Sequence, residues 1–141
     1  MTESATDHYL NRLATEAHAI SVEKGWYERS RDVPELIALA HSELSEALEC
    51  YRDNPDPCGE SSIRVSESGK PEGLAIELAD TVIRIADIFG YYGLDMQRAV
   101  DIKMAYNRTR PHRHGGKRAW APYCVTTLPT HRTLEHARCR L

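Results

Sequence analysis

The sequence predicts an all-α protein. Apolar residues recur at helical spacing in four segments, capping residues bracket those segments, and no run alternates apolar with polar residues as a half-buried strand would. Four helices of this length predict a four-helix bundle. So small a bundle is expected to cover its apolar faces by forming a dimer or tetramer.

The first helix is expected from about Ala5 to Lys24: Ser4-x-x-Asp7 can form a capping box, Leu10, Leu13, Ala17 and Ile20 share a face, and Gly25 stops it. The second runs from about Val33 to Arg52, with Asp32 as N-cap, Pro34 in the first turn and Asp53-Asn54-Pro55 as its end. Residues 53–70, rich in Pro, Gly, Ser and charge, read as a long loop of the kind that carries function or moves. Pro71 is expected to open a third helix reaching Phe89 or Tyr92. Leu74, Ile76, Leu78, Val82, Ile83, Ile85, Ile88 and Phe89 make it apolar nearly all round, so it should be the most buried element. Asp95 can cap a fourth helix ending near Arg108; beyond Pro111 no periodicity continues.

Composition excludes several classes. The 141 residues suit one core of ordinary size, and no apolar run approaches the ~20 residues of a membrane span. Met1 to Asp7 lacks the basic-then-apolar order of a secretory signal, so a cytoplasmic location and no membrane partner are expected. Cys50, Cys58, Cys124 and Cys139 have no zinc-site spacing and are expected as thiols. The net charge of −3 divides into −10 over residues 1–107 and +7 over residues 108–141. Such a tail can meet nucleic acid or an anionic ligand, or it can simply be solvated.

The second helix carries Glu43-x-x-Glu46 and the third Glu77-x-x-Asp80, each pair one turn apart on one face. Two such pairs on facing helices would gather four carboxylates, which need a cation between them, and an all-oxygen set selects Mg²⁺ or Mn²⁺. The competing reading is two solvated faces. Glu77, Asp80, Arg84 and Asp87 form one polar stripe, with Asp80 and Arg84 spaced for an i, i+4 ion pair. Spacing alone leaves both readings open. A di-iron bundle is set aside, because neither helix has a His three residues after a candidate Glu.

Downstream, Lys103 and Asn107 share a face that Arg110 continues, a donor line suited to a metal-bound anion such as a nucleoside triphosphate. Gly115-Gly116 reads as a turn, and His112 and His114 as a polar loop rather than metal ligands. Trp26 and Tyr27 follow the Gly25 stop, where core packing is the simpler role and stacking on a base the other.

Taken in order, Glu43-x-x-Glu46, Glu77-x-x-Asp80 and Lys103-x-x-x-Asn107-x-x-Arg110 resemble the all-α nucleoside triphosphate pyrophosphohydrolases of the MazG superfamily, short stand-alone members in particular. Lys24-Gly25-Trp26, the stretch 37–49, Glu77-Leu78-Ala79-Asp80 and Lys103-Met104-Ala105-Tyr106-Asn107 carry the likeness over residues 10–117. The resemblance implies a domain over 1–117 followed by a basic tail over 118–141, and a homodimer or homotetramer. The activity it implies is Mg²⁺-dependent hydrolysis of a (deoxy)nucleoside triphosphate to the monophosphate and pyrophosphate, serving nucleotide-pool house-cleaning. Relatives specialised for dUTP, dCTP or phosphoribosyl-ATP are a close variant. Glu43, Glu46, Glu77 and Asp80 would hold Mg²⁺, with Mn²⁺ as the alternative, and Glu46 would act as base. Lys103, Asn107 and Arg110 would bind phosphate or sugar, and Trp26 would lie near the base; nucleic acid is not an expected partner. Two departures stand out. Ser42 occupies a place where many members carry a further Glu, which leaves Glu49 as a substitute, and residues 53–70 lengthen the interval between the acid pairs. The other class of protein these residues allow is a helical module that binds a nucleotide or regulates a partner without turnover.

Overall fold

In the computed structural model residues 8–112 are described, and the chain divides into two compact units, Met1–Ile102 and Lys103–Leu141. The elements in order are α1 (Tyr9–Glu23), α2 (Val33–Asp53), a 3₁₀ turn (Glu60–Ser62), β1 (Arg64–Val65), β2 (Pro71–Glu72), α3 (Leu74–Tyr91) and α4 (Met96–Thr109). The all-helical reading holds for the main architecture. No helix among the described residues is long and apolar enough to cross a membrane.

The helix ends follow local chemistry. Asp32 Oδ1 accepts the Glu35 N–H at 2.9 Å, a side-chain cap for α2 with Pro34 in the first turn. Asp95 Oδ1 likewise accepts the Arg98 N–H at 2.9 Å, and also takes Asn11 Nδ2 at 3.0 Å. Asn11 Oδ1 in turn accepts the Gln97 N–H at 3.0 Å, so one amide ties α1 to the start of α4. The proposed capping box of α1 at Ser4 and Asp7 lies outside the described residues; α1 begins after His8, whose side chain makes no cap.

The interval 53–70 is not a plain loop, and Pro71 does not open a helix. Arg64 pairs with Glu72 and Val65 with Pro71 in a two-stranded antiparallel ribbon, closed by Ser66 N–H donating to Lys70 O at 2.8 Å. Two residues per strand are too few for alternation to be visible in sequence. A proline without its N–H is tolerated in so short a ribbon because it has a free edge. Gly73 (φ +115°) turns the chain into α3, and a Cβ there would lie 2.7 Å from Ser62 O.

α3 is the central helix, packed on α1 and on α2. Small residues set how closely α1 and α3 approach: Ala14, Ala17, Ala86 and Met96 form the buried cluster, flanked by Leu10, Leu13 and Phe89. α3 is the least exposed helix among the described residues, as its composition predicts, but part of its apolar surface is not what it buries. Leu78, Val82, Ile83 and Ile85 are exposed, whereas Glu77, Thr81 and Asp87 are buried. The polar stripe faces the neighbouring helices and much of the apolar surface faces out.

Gly90 sits where α3 crosses α1, and a methyl there would lie 2.6 Å from His18 Cβ and closer still to the Ala14 carbonyl. Gly→Ala inside a helix ordinarily gains about 1 kcal/mol. Here Gly90→Ala is expected to lose about 1–3 kcal/mol through overpacking, measured as a lower urea midpoint at unchanged m-value. A raised midpoint would refute the close crossing.

Candidate metal centre

Glu43 comes from the middle of α2, and Glu77 and Asp80 from the first two turns of α3, so the α2–α3 packing brings the two acid pairs face to face. One carboxylate oxygen from each of Glu43, Glu77 and Asp80 lies within 4.8 Å of the other two. Among the described residues this is the group of His, Cys, Asp and Glu ligands close enough to share a cation; His112 is not part of it, and His114 lies outside the described residues. Glu43 and Glu77 are 8% and 6% exposed, and Asp80 is the more open of the three.

Glu46, one turn on from Glu43, is exposed and is not in the tight triad, yet its charge bears on Glu77. Burial pushes the Glu77 carboxyl above its ordinary range, and the charges of Glu46, Asp80 and Glu43 push the same way against the opposing pull of Lys70. All four acids of the two motifs therefore converge on one region. Glu49 is exposed and outside the triad, and the Ser42 hydroxyl donates to Leu39 O at 2.7 Å on its own helix, so neither enlarges the ligand set.

The compensation is incomplete. Arg84 does not pair with Asp80 as the i, i+4 spacing suggests; its Nε donates across the helix interface to Glu43 Oε1 at 3.0 Å. Glu77, only 6% exposed, has no side-chain donor among the described residues, and its carboxylate oxygens keep contact with solvent. Unit charges about 4 Å apart repel by roughly 4 kcal/mol at an effective dielectric near ~20, far more than an exposed ion pair returns. Four ionised carboxylates against Arg84 and Lys70 leave two negative charges, the complement of one divalent cation. The donor set is all oxygen, which suits a hard ion.

Beside the triad stands an aromatic wall. Arg84 Cζ lies 4.4 Å from the centroid of the Trp26 ring and Arg31 Cζ 5.6 Å from it, so two guanidiniums flank one indole. Arg31 holds the turn by donating to Trp26 O at 2.8 Å and pairing with Glu35. Trp26 is 38% exposed, between the core role and the open stacking surface that its position allows. The space between Trp26, Leu36, Leu39 and Arg84 is only about 10 Å³, one water's worth. Further along α3, buried Asp87 accepts Tyr27 OH at 2.9 Å and meets His18 Nδ1 at 2.8 Å. Burial and then that bond to Asp87 push the Tyr27 phenol well above its usual range.

Lys103, Asn107 and Arg110 belong to the second unit. There Lys103 Nζ and Arg110 Cζ lie 5.3 and 5.8 Å from the centroid of the Tyr106 ring, and the Arg110 N–H donates to Asn107 O at 3.2 Å. Lys103 and Arg110 thus share a neighbourhood around Tyr106, and Asn107 meets Arg110 through the backbone alone. The basic tail over 118–141 lies outside the described residues. Arg84 and Lys70 are the groups that sequence reasoning missed. Arg84 is visible on the α3 stripe, but its i, i+4 spacing points to Asp80 on its own helix; Lys70 carries no signal, because it is the ribbon that brings it to bear on Glu77. Searches against protein-family models, curated proteins and solved structures find no match to this chain.

Because the folded pKa of Glu77 is raised, proton uptake favours the folded state. The group costs nothing below its unfolded pKa and an increasing amount as pH rises toward and through the folded value. Metal-free protein is therefore expected to lose stability from this group on passing from acid to neutral pH, and Glu77→Gln to gain relative to wild type over that interval. Melting temperatures in chelator from pH 4 to 8 check this; a pH-independent difference between the two proteins would contradict it.

Proposed function

We propose that the chain is a Mg²⁺-dependent nucleoside triphosphate pyrophosphohydrolase of the MazG type, cleaving between the α and β phosphates to give the monophosphate and pyrophosphate. The observation that carries this reading is the convergence of Glu43, Glu77 and Asp80, with the charge of Glu46 added, around one small region of low exposure. A bundle stabilised by its polar groups alone has no use for that arrangement, whereas a divalent cation supplies the missing charge.

Glu43, Glu77 and Asp80 would hold the ion, with Glu46 beside them. A bound Mg²⁺ supplies Lewis-acid polarisation of phosphate oxygens and a lowered pKa for water in its shell. Glu46, exposed one turn on from Glu43, would orient the attacking water and take its proton at a carboxylate oxygen. Lys103, Asn107 and Arg110 are the proposed donors to phosphate and sugar, offsetting charge on the departing pyrophosphate. Trp26 offers its exposed edge to the base.

Homo-oligomerisation is part of the same proposal. Ile37, Leu44, Leu48 and Tyr51 on α2, with Leu78, Val82 and Ile85 on α3, are exposed apolar side chains at helical spacing. A second copy presenting the same side chains would cover them.

Purified protein given a panel of NTPs and dNTPs with Mg²⁺ is expected to release pyrophosphate rather than orthophosphate. Glu46→Gln and Asp80→Asn are each expected to lower kcat/KM by about 10²–10⁴-fold. No turnover of any nucleotide, orthophosphate as the sole product, or undiminished activity in EDTA would each sink the enzyme reading. Light scattering on a sizing column is expected to give a dimer or tetramer, converted toward monomer by Leu44→Glu with Val82→Glu; a wild-type monomer would overturn the assembly.

A further inference from the structure

The Arg84 guanidinium is anchored at two points and open at a third. Its Nε is spent on Glu43 Oε1 at 3.0 Å, and its face is fixed against Trp26 at 4.4 Å. Its two terminal nitrogens, carrying four further N–H donors, have no carboxylate or carbonyl acceptor among the described residues, and a quarter of the side chain is exposed. Water satisfies such donors at an exposed edge, and an anionic acceptor can displace it with a stronger, charge-assisted bond. The residue stands one turn beyond Asp80 and two beyond Glu77 on the same stripe of α3, next to the place where the three carboxylate oxygens converge.

Size decides what the open edge can meet. A cavity of about 10 Å³ against Trp26 holds roughly one water and excludes a purine or pyrimidine ring. A ring cannot reach Arg84 through that cavity, whereas a small group held at the neighbouring carboxylates can, and an anionic one gains most from a guanidinium. A phosphate oxygen of a metal-bound polyphosphate meets each requirement, and Arg is the side chain whose planar fork matches it.

We propose that Arg84 is an anion-binding residue of the metal centre, donating through its terminal nitrogens to the phosphates of the cation-bound ligand while its Nε stays on Glu43. This rests on the metal reading above and adds a donor from α3 to those proposed on α4. It also assigns Arg84 two opposed effects. Its positive charge works against binding of the bare cation, whereas its donors strengthen binding of the anion that accompanies the cation.

The test uses the full-length chain carrying Trp120→Phe, so that tryptophan emission comes from Trp26, alone and with Arg84→Met or Arg84→Lys. Mn²⁺ affinity is measured first without any anion; the Mn²⁺–pyrophosphate complex is then titrated into Mn²⁺-saturated protein. For Arg84→Met the expected result is Mn²⁺ binding that is unchanged or tighter, with pyrophosphate affinity lowered about ten- to hundredfold, the worth of a charged hydrogen bond. Arg84→Lys should recover part of that loss. Pyrophosphate should shift the Trp26 emission in the parent and not in Arg84→Met. Equal pyrophosphate affinity in parent and Arg84→Met would overturn the assignment, and so would parallel losses of Mn²⁺ and pyrophosphate affinity, which would make Arg84 a mere support for Glu43. No Mn²⁺ binding by the parent would remove the metal reading and this proposal together. Intact Mn²⁺ and pyrophosphate binding with the expected Arg84 dependence, but no nucleotide turnover, would support Arg84 while removing only the enzyme reading.

Discussion

The structure turns on one carboxylate. Glu77 lies in the first turns of the central helix, 6% exposed between elements that offer it no side-chain donor, with Glu43 and Asp80 beside it. Carboxylates crowded together at low exposure repel one another at a real cost. Here the fold surrounds Glu77 with like charge instead of removing it. The neighbouring features read as responses to that cost: Arg84 crosses to Glu43, Lys70 is brought to bear by the ribbon, and Glu77 itself holds its proton more tightly than an ordinary glutamate.

The same constraint shows in the way α3 is turned. Its stripe of Glu77, Asp80, Arg84 and Asp87 meets α1 and α2, where each group beyond Asp80 finds a named partner: Glu43 for Arg84, and His18 with Tyr27 for Asp87. Turning that stripe inward turns Leu78, Val82 and Ile85 outward. An acidic centre and an exposed apolar face are thus two consequences of one helix rotation. The proposed cation and the proposed second copy answer one each.

The close packing that permits this is supplied by small residues. Ala14, Ala17, Ala86 and Gly90 let α1 and α3 approach until there is no room for another methyl at Gly90. That contact carries much of the buried apolar surface among the described residues and leaves α2 free to present Glu43 rather than a large hydrophobe to α3. Binding chemistry and packing are therefore divided between the two faces of α3.

Helix existence and most helix ends were legible in the amino-acid order, because Asp32, Asp95 and the apolar spacing act within a turn or two of themselves. The two acid pairs were legible for the same reason. The ribbon at 64–72 was not, since two-residue strands are defined only by their partners. Nor was the direction in which α3 faces: composition counts apolar residues, whereas orientation depends on which neighbours can satisfy the polar ones. The sequence by itself thus determined four helices and two carboxylate pairs at one-turn spacing. Only the tertiary structure decided that the pairs face each other, that Arg84 serves Glu43 instead of Asp80, and that Glu77 sits at low exposure among like charges. Those outcomes depend on distances between residues tens of positions apart, which no local pattern encodes.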